Sequence, residues 1–200
     1  IASNEFEPIY NFYKNIEQYL TKSDYTKFIN SNLANINSRI DSMSKFNINV
    51  INIVCKVIET SNCSEDITLV QYSKYLKAKY LYTFADGKNT DAFKDSLLIC
   101  ESITRSLDDN SDSSFIDSLN YLKALLLQNK GDLNDAIILM KRCYDNQTKK
   151  GAFDFAIKSA IYLGAMYREM TMFDEAIELY NDIKIEFISN AEDRDRKSVV

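Results

Sequence analysis

Apolar residues recur every three or four positions along most of this chain, and this spacing places side chains on one face of an α-helix. The clearest stripe lies between positions 23 and 43 and consists of Phe28, Ile29, Leu33, Ile36, Ile40 and Met43. The same spacing predicts helices over 7–20, 23–43, 48–59, 69–85, 91–107, 115–130, 132–145, 153–170 and 173–188. Polar connectors separate these segments, so the pattern predicts an all-α protein.

Apolar spacing alone does not determine the structure of three parts of the chain: the segment 48–59, the start of the second helix and the run 108–114. The segment 48–59 is rich in β-branched residues, so a strand is an alternative there. It is long for a strand and lacks turn residues for a hairpin partner, and we therefore favour a buried helix. The second helix is predicted to begin at a cap formed by Ser23 or Asp24, because such side chains accept hydrogen bonds from the first helical turn. The run 108–114 is predicted to be a polar linker.

A second regularity has a period of 40 residues. Gly164 follows Ala124 by 40 positions, and Ala176 follows Ala136 by 40. Small residues at such positions let two helix backbones approach each other closely. Repetition with this period is typical of stacked helix pairs, none of which buries its apolar face alone.

This arrangement of small and bulky residues resembles the tetratricopeptide repeat. The last predicted pair fits most closely, through Leu163, Gly164, Tyr167, Phe173, Ala176 and Tyr180. The pair before it matches at Ala124, Leu127, Gly131, Ala136, Met140 and Cys143. The first pair shares the sequence Tyr-Leu-Lys-Ala, at 75–78, with 121–124. The resemblance implies antiparallel helix pairs stacked as a right-handed solenoid, with repeats longer than the family's commonest length of about 34 residues.

On this resemblance the chain has three parts. Residues 1–66 form N-terminal helices that are a degenerate or capping repeat, and residues 67–188 contain three helix pairs, at 67–107, 115–145 and 153–188. Residues 189–200 are a polar tail or the start of a further helix. The abrupt ends of the chain indicate a fragment. Similar long repeats occur in scaffold subunits of large assemblies and in bacterial peptide-sensing regulators, so both classes of function stay open.

Composition agrees with an all-α protein and narrows the class of partner. One Pro and four Gly in 200 residues leave few residues that interrupt helices or form the turns of a β-fold. A net charge of -5 argues against direct contact with nucleic acid, whose phosphates require a positive surface. No apolar run reaches the roughly 18 to 20 residues that span a bilayer, so we expect no membrane insertion.

Residues typical of catalytic and metal sites are scarce. The chain has no His, which removes the commonest general base and metal ligand, and no nucleophile or phosphate-binding motif is present. The four Cys, at 55, 63, 100 and 143, are too far apart for a zinc site or redox dithiol and indicate an intracellular protein, cytoplasmic or nuclear. Positions 108, 110, 112 and 114 have the spacing of a calcium loop, but Ser113 and Leu119 replace its Gly and Glu. We expect no enzyme activity, no metal and no cofactor.

The resemblance also predicts where a partner binds, because in that family the first helices of successive pairs line a concave groove. Aligning the pairs places in this groove a set of mostly aromatic and cationic residues: Tyr72, Tyr75, Lys79, Tyr82, Tyr121, Gln128, Lys158 and Arg168. Tyrosine rings supply contact area, and cations anchor carboxylates. We expect a non-catalytic scaffold or adaptor with a protein or peptide partner and no small-molecule substrate. The alternative is a peptide-sensing bacterial regulator whose output module lies outside this chain.

Overall fold

The computed structural model describes residues 7–43, 47–85, 90–108 and 111–184. These described residues form nine helices and no strand. The chain divides into two compact units, an N-terminal unit, Ile1–Asp112, and a C-terminal unit, Ser113–Val200. For the described part of the chain, the all-α class that the apolar spacing predicts is confirmed.

The N-terminal unit contains the helices α1 (Glu7–Glu17), α2 (Lys22–Asp41), α3 (Ile48–Thr60), α4 (Ile67–Phe84) and α5 (Thr90–Arg105). Consecutive helices pack on each other, and α4 contacts α2, α3 and α5. Because α4 is surrounded in this way, its buried residues do not follow a single stripe and include the polar side chains of Gln71 and Ser73.

Helix α2 departs from the prediction at both ends. Its cap is Thr21, whose Oγ1 accepts a hydrogen bond from the backbone N–H of Asp24 at 3.2 Å, so the helix begins before the predicted cap at Ser23 or Asp24. Tyr25 is fully buried and begins the apolar stripe. Met43, predicted as the last member of that stripe, lies beyond the end of α2 and is 64% exposed.

The helical interpretation of the β-branched segment is confirmed by α3. Asn47 caps this helix by accepting a hydrogen bond from the backbone N–H of Asn49 at 2.9 Å. Ile51, Val54 and Ile58 are all buried. Burial of these side chains outweighs the modest preference of β-branched residues for strands, because tertiary packing overrides intrinsic propensity.

The C-terminal unit contains α6 (Ser113–Lys130), α7 (Leu133–Lys149), α8 (Phe153–Glu169) and a last helix, α9, which occupies 173–184 of the described residues. Helix α6 begins within the run predicted as a linker, so 113 and 114 are helical rather than connecting residues. Positions 109 and 110 of that run and the predicted tail at 189–200 lie outside the described residues.

Three helices of the C-terminal unit end with the same backbone geometry at intervals of 20 residues. At each end a backbone N–H donates to the carbonyl five residues earlier, 132 to 127, 152 to 147 and 172 to 167, over 2.9, 2.9 and 2.8 Å. The residue before each donor has a positive φ, of 93° at Gly131, 70° at Gly151 and 58° at Thr171. This is the Schellman arrangement, which satisfies the free carbonyls of a helix end. Gly131 and Gly151 therefore lie at helix ends where the left-handed backbone favours glycine.

Gly164 is a packing residue, as its place in the sequence pattern predicts. A Cβ atom at this position of α8 would meet the ring of Tyr180 on α9, with Cε1 at only 2.8 Å. Helices α8 and α9 therefore pack closely at this position, because the ring of Tyr180 fills the space that a side chain at 164 would need.

Candidate protein-binding face

Side-chain contacts at both ends of the pair join α6 to α8. The ring centroids of Tyr121 and Tyr162 lie 5.8 Å apart in an edge-to-face arrangement, and Gln128 Nε2 donates to Glu169 Oε1 at 2.8 Å. The two residues of each pair are 41 positions apart, so α6 and α8 run in the same direction in a constant register. The ring of Phe155 also contacts Tyr121, at 5.3 Å, which further fixes the position of this tyrosine.

An exposed stripe runs along α8 beside these contacts. Lys158 and Arg168 are exposed, Ile161 is 54% exposed and Tyr162 is 39% exposed. These positions recur at intervals that place them along one side of the helix. We call the surface the α6–α8 face and define it by six residues: Tyr121, Gln128, Lys158, Ile161, Tyr162 and Arg168.

An ion pair with a buried carboxylate supports the helix that carries Tyr121. Asp117 is 3% exposed, and its Oδ2 accepts a hydrogen bond from Lys150 Nζ at 2.5 Å. Its Oδ1 accepts from Asn146 Nδ2 at 3.0 Å. Asp117 lies one turn before Tyr121 on α6, whereas both partners lie at the end of α7. A carboxylate buried this deeply requires such partners, so the network fixes α6 relative to α7.

In the N-terminal unit, two of the predicted site residues pack against each other on α4. The ring centroids of Tyr72 and Tyr75 lie 6.1 Å apart, nearly parallel, and Tyr75 is only 8% exposed. Burial raises the pKa of both phenols above the ordinary value, and the nearby carboxylate of Asp41 adds to the increase. Both hydroxyls therefore stay protonated at neutral pH, and the ring of Tyr75 lies inside the unit.

The other two predicted residues on α4 contact neighbouring helices. Lys79 Nζ donates to Asp41 Oδ1 at 2.5 Å and to Asn37 Oδ1 at 2.7 Å, so its ammonium group is bound by α2. The ring of Tyr82 lies 6.0 Å from that of Phe93 on α5. These contacts orient both side chains within the N-terminal unit.

The eight predicted residues are thus divided between the two units. Four lie on α4 of the N-terminal unit, at positions 72, 75, 79 and 82, and four lie on the α6–α8 face of the C-terminal unit, at 121, 128, 158 and 168. Tyr162 was not among the residues predicted for the groove, whereas Ile161 aligns with Tyr121 at the 40-residue offset without being one of the eight predicted contact residues. An alignment offset of 41 would have paired Tyr162 with Tyr121, whereas the small residues align at 40.

Within the part of the chain that the structure describes, no group of three or more His, Cys, Asp or Glu is arranged to hold a metal ion. No described helix combines the length and the apolar character that crossing a membrane requires. A scan against protein-family models, a search of curated proteins and a search of solved structures each found no match to this chain.

Proposed function

We propose that this chain is a non-catalytic helical scaffold or adaptor, part of a larger complex, which binds a protein or peptide segment on the α6–α8 face. The observation that carries the proposal is the combination of exposed Ile161 and Tyr162 between the exposed cations Lys158 and Arg168. Tyrosine and arginine are the residue types that most often dominate the binding energy of an interface. The fixed contacts of Tyr121 with α8 also reduce the side-chain entropy lost on binding.

The architecture that we propose with this function is a right-handed solenoid of tetratricopeptide-like helix pairs. In the C-terminal unit, the equal spacing of three helix ends and the common direction of α6 and α8 support it. Two successive intervals of 20 residues make up the 40-residue period of the sequence. A parallel arrangement of first helices is what such a solenoid requires of its binding surface.

The dimensions of the face suggest the chemistry of its partner. Lys158 and Arg168 are ten residues apart on α8, which corresponds to about 15 Å along the helix. An extended segment of about five residues spans that distance. We propose that the partner segment carries acidic side chains at both ends for the two cations and an apolar side chain between them for Ile161 and Tyr162.

Affinity purification followed by mass spectrometry tests this proposal with a matched pair of variants. Lys158→Ala with Arg168→Ala removes both cations of the face, and Lys141→Ala with Arg142→Ala removes the same charges from exposed positions of α7. The first variant should reduce recovery of the partner by about tenfold or more, and the second should not reduce it. Loss of the partner from the α7 variant alone would place the binding site on another surface.

A further inference from the structure

Helix α9 exposes three large apolar side chains. Phe173 is 56% exposed, Ile177 59% and Tyr180 39%. They recur at intervals of four and three residues and so lie along one side of the helix. We call these three residues the α9 row. Ala176 and Leu179 are the buried residues of the same helix, so the row is a second apolar side beside the one already packed.

Helix α7 shows how such a row is covered one period earlier in the chain. The positions 40 residues before the α9 row are Leu133, Ile137 and Met140. Met140 is fully buried, and the other two are half-buried. Helix α7 packs against both α6 and α8. Helix α9 is the last helix of the described residues, so its row is the place where a counterpart of α8 fits.

The equivalence of α7 and α9 is structural as well as sequential. Each begins after the same backbone geometry, with its positive φ at Gly131 and at Thr171. Each buries a small residue at the corresponding place, Ala136 and Ala176. The sides of α7 and α9 that pack inside the C-terminal unit therefore correspond, and the sides next to them correspond as well.

Acidic side chains border the α9 row on one side. Asp174 and Glu178 each follow a residue of the row and are exposed, so they lie about 100° further around the helix. Between 173 and 184 there are four acids and one lysine, which gives a net charge of -3. A second copy of this chain would bring the same acids together, which disfavours self-association here. A helix with cations beside its apolar residues matches both features.

We propose that the α9 row is a docking site for an amphipathic helix of a partner protein, in which Lys or Arg residues flank the apolar side chains. The apolar side chains of that helix pack on the row, and its cations lie beside Asp174 and Glu178. The site shares no residue with the α6–α8 face. It therefore adds a basic, helical partner segment to the acidic, extended segment proposed for that face.

Fluorescence anisotropy with a designed peptide tests this proposal. The probe is a fluorescein-labelled amphipathic helix of about 18 residues, with Leu and Ala at its apolar positions and Lys at the flanking positions. This length is close to the 17 residues of α8. A matched peptide carries Glu in place of Lys. The Lys peptide should bind the protein in a saturable manner, and the Glu peptide should bind at least about tenfold more weakly.

A pair of apolar variants assigns the binding to α9. Phe173→Ala with Ile177→Ala should weaken binding of the Lys peptide by about tenfold or more, because both side chains lose their contacts with it. The matched control is Leu98→Ala with Ile138→Ala, which truncates apolar side chains that are 59% and 65% exposed on α5 and α7. The control should bind as the wild type does. Circular dichroism establishes that both variants are folded.

A pair of charge variants tests the acidic border. Asp174→Asn with Glu178→Gln should weaken binding of the Lys peptide by about fivefold, since exposed ion pairs contribute little each. The difference from the wild type should disappear when the salt concentration is raised to about 0.5 M. The matched control, Asp135→Asn with Glu101→Gln, removes two exposed acids of α7 and α5 and should leave binding unchanged.

The proposal fails if the Lys peptide does not bind, or if the folded variant at Phe173 and Ile177 binds it as tightly as the wild type. Equal binding of the Lys and Glu peptides would overturn the basic character of the partner. Sedimentation equilibrium should give a monomer of 23.1 kDa. A dimer that the Phe173 and Ile177 variant dissociates would assign the row to a second copy instead. Tighter peptide binding after removal of 189–200 would assign it to this chain's own C-terminal residues.

Discussion

Replacement of Gly164 by Ala tests the closest contact between α8 and α9. In an open helix, Ala is more favourable than Gly by about 0.5 to 1 kcal/mol. At position 164, however, the added Cβ would meet Oη, Cζ and Cε1 of Tyr180, the last at 2.8 Å. Carbon atoms in contact normally lie about 3.5 to 4.0 Å apart, so the tyrosine ring must move.

The magnitude follows from these opposing effects. Overpacking a filled site costs about 1 to 3 kcal/mol. Tyr180 is 39% exposed and can turn toward solvent, which places the cost in the lower part of that range. We expect Gly164→Ala to lower the free energy of unfolding by about 1 kcal/mol. In a Tyr180→Ala background the same substitution should raise it by about 0.5 to 1 kcal/mol, because only the gain in helix propensity remains.

Urea unfolding of the wild type, the two single variants and the double variant, followed by circular dichroism, gives the coupling between the two residues. A change of sign between the two backgrounds is the expected result. If Gly164→Ala stabilises both backgrounds equally, Tyr180 does not restrict this position and the packing argument is refuted.

Three further predictions concern stability. Thr171→Gly should raise the free energy of unfolding by about 1 kcal/mol, because a β-branched residue is strained at a φ of 58°; urea unfolding that shows equal stability would contradict this. Asp117→Ala should lower the free energy of unfolding by about 2 kcal/mol. This loss should exceed that caused by Lys150→Met, because the aspartate side chain is 5% exposed whereas the lysine side chain is 37% exposed. A larger loss for Lys150→Met in urea unfolding would refute the argument. Burial raises the pKa of the Cys143 thiol from 9.0 to about 12, so its contribution to stability is complete below pH 9 and is lost as the pH rises toward 12. Cys143→Ala should therefore weaken the pH dependence of unfolding in that interval, and an unchanged slope would count against this assignment.

The helices were predictable because the spacing of apolar residues reports which side of a segment is buried. The ends were less predictable. The polar side chains at 21, 23 and 24 all suit a cap, and only the backbone geometry selects Thr21. Likewise, glycines mark two of the three equivalent helix ends, but Thr171 at the third has no such signal.

The α6–α8 face was predictable in part. The 40-residue alignment pairs α6 with α8, which do contact each other, and it places four residues on these two helices, yet the side chains that meet are 41 positions apart. An α-helix turns by about 100° per residue. The rotation of each helix about its axis therefore decides which of two neighbouring residues faces the other helix, and the sequence pattern does not specify that rotation.

Polar contacts between helices were not predictable. Lys79 binds Asp41 across 38 positions, and Lys150 binds Asp117 across 33. Each pair is set by how two helices pack, and neither leaves a periodic signal in the sequence.

Photo-crosslinking tests the central claim, that a partner binds on the α6–α8 face, most directly. In one protein a benzoylphenylalanine replaces Tyr162, and in a matched protein it replaces Ile138, which is 65% exposed on α7. Irradiation in cell extract should join a partner to the residue at 162 and not to the residue at 138. Adducts formed from 138 alone, or equally from both positions, would contradict the account.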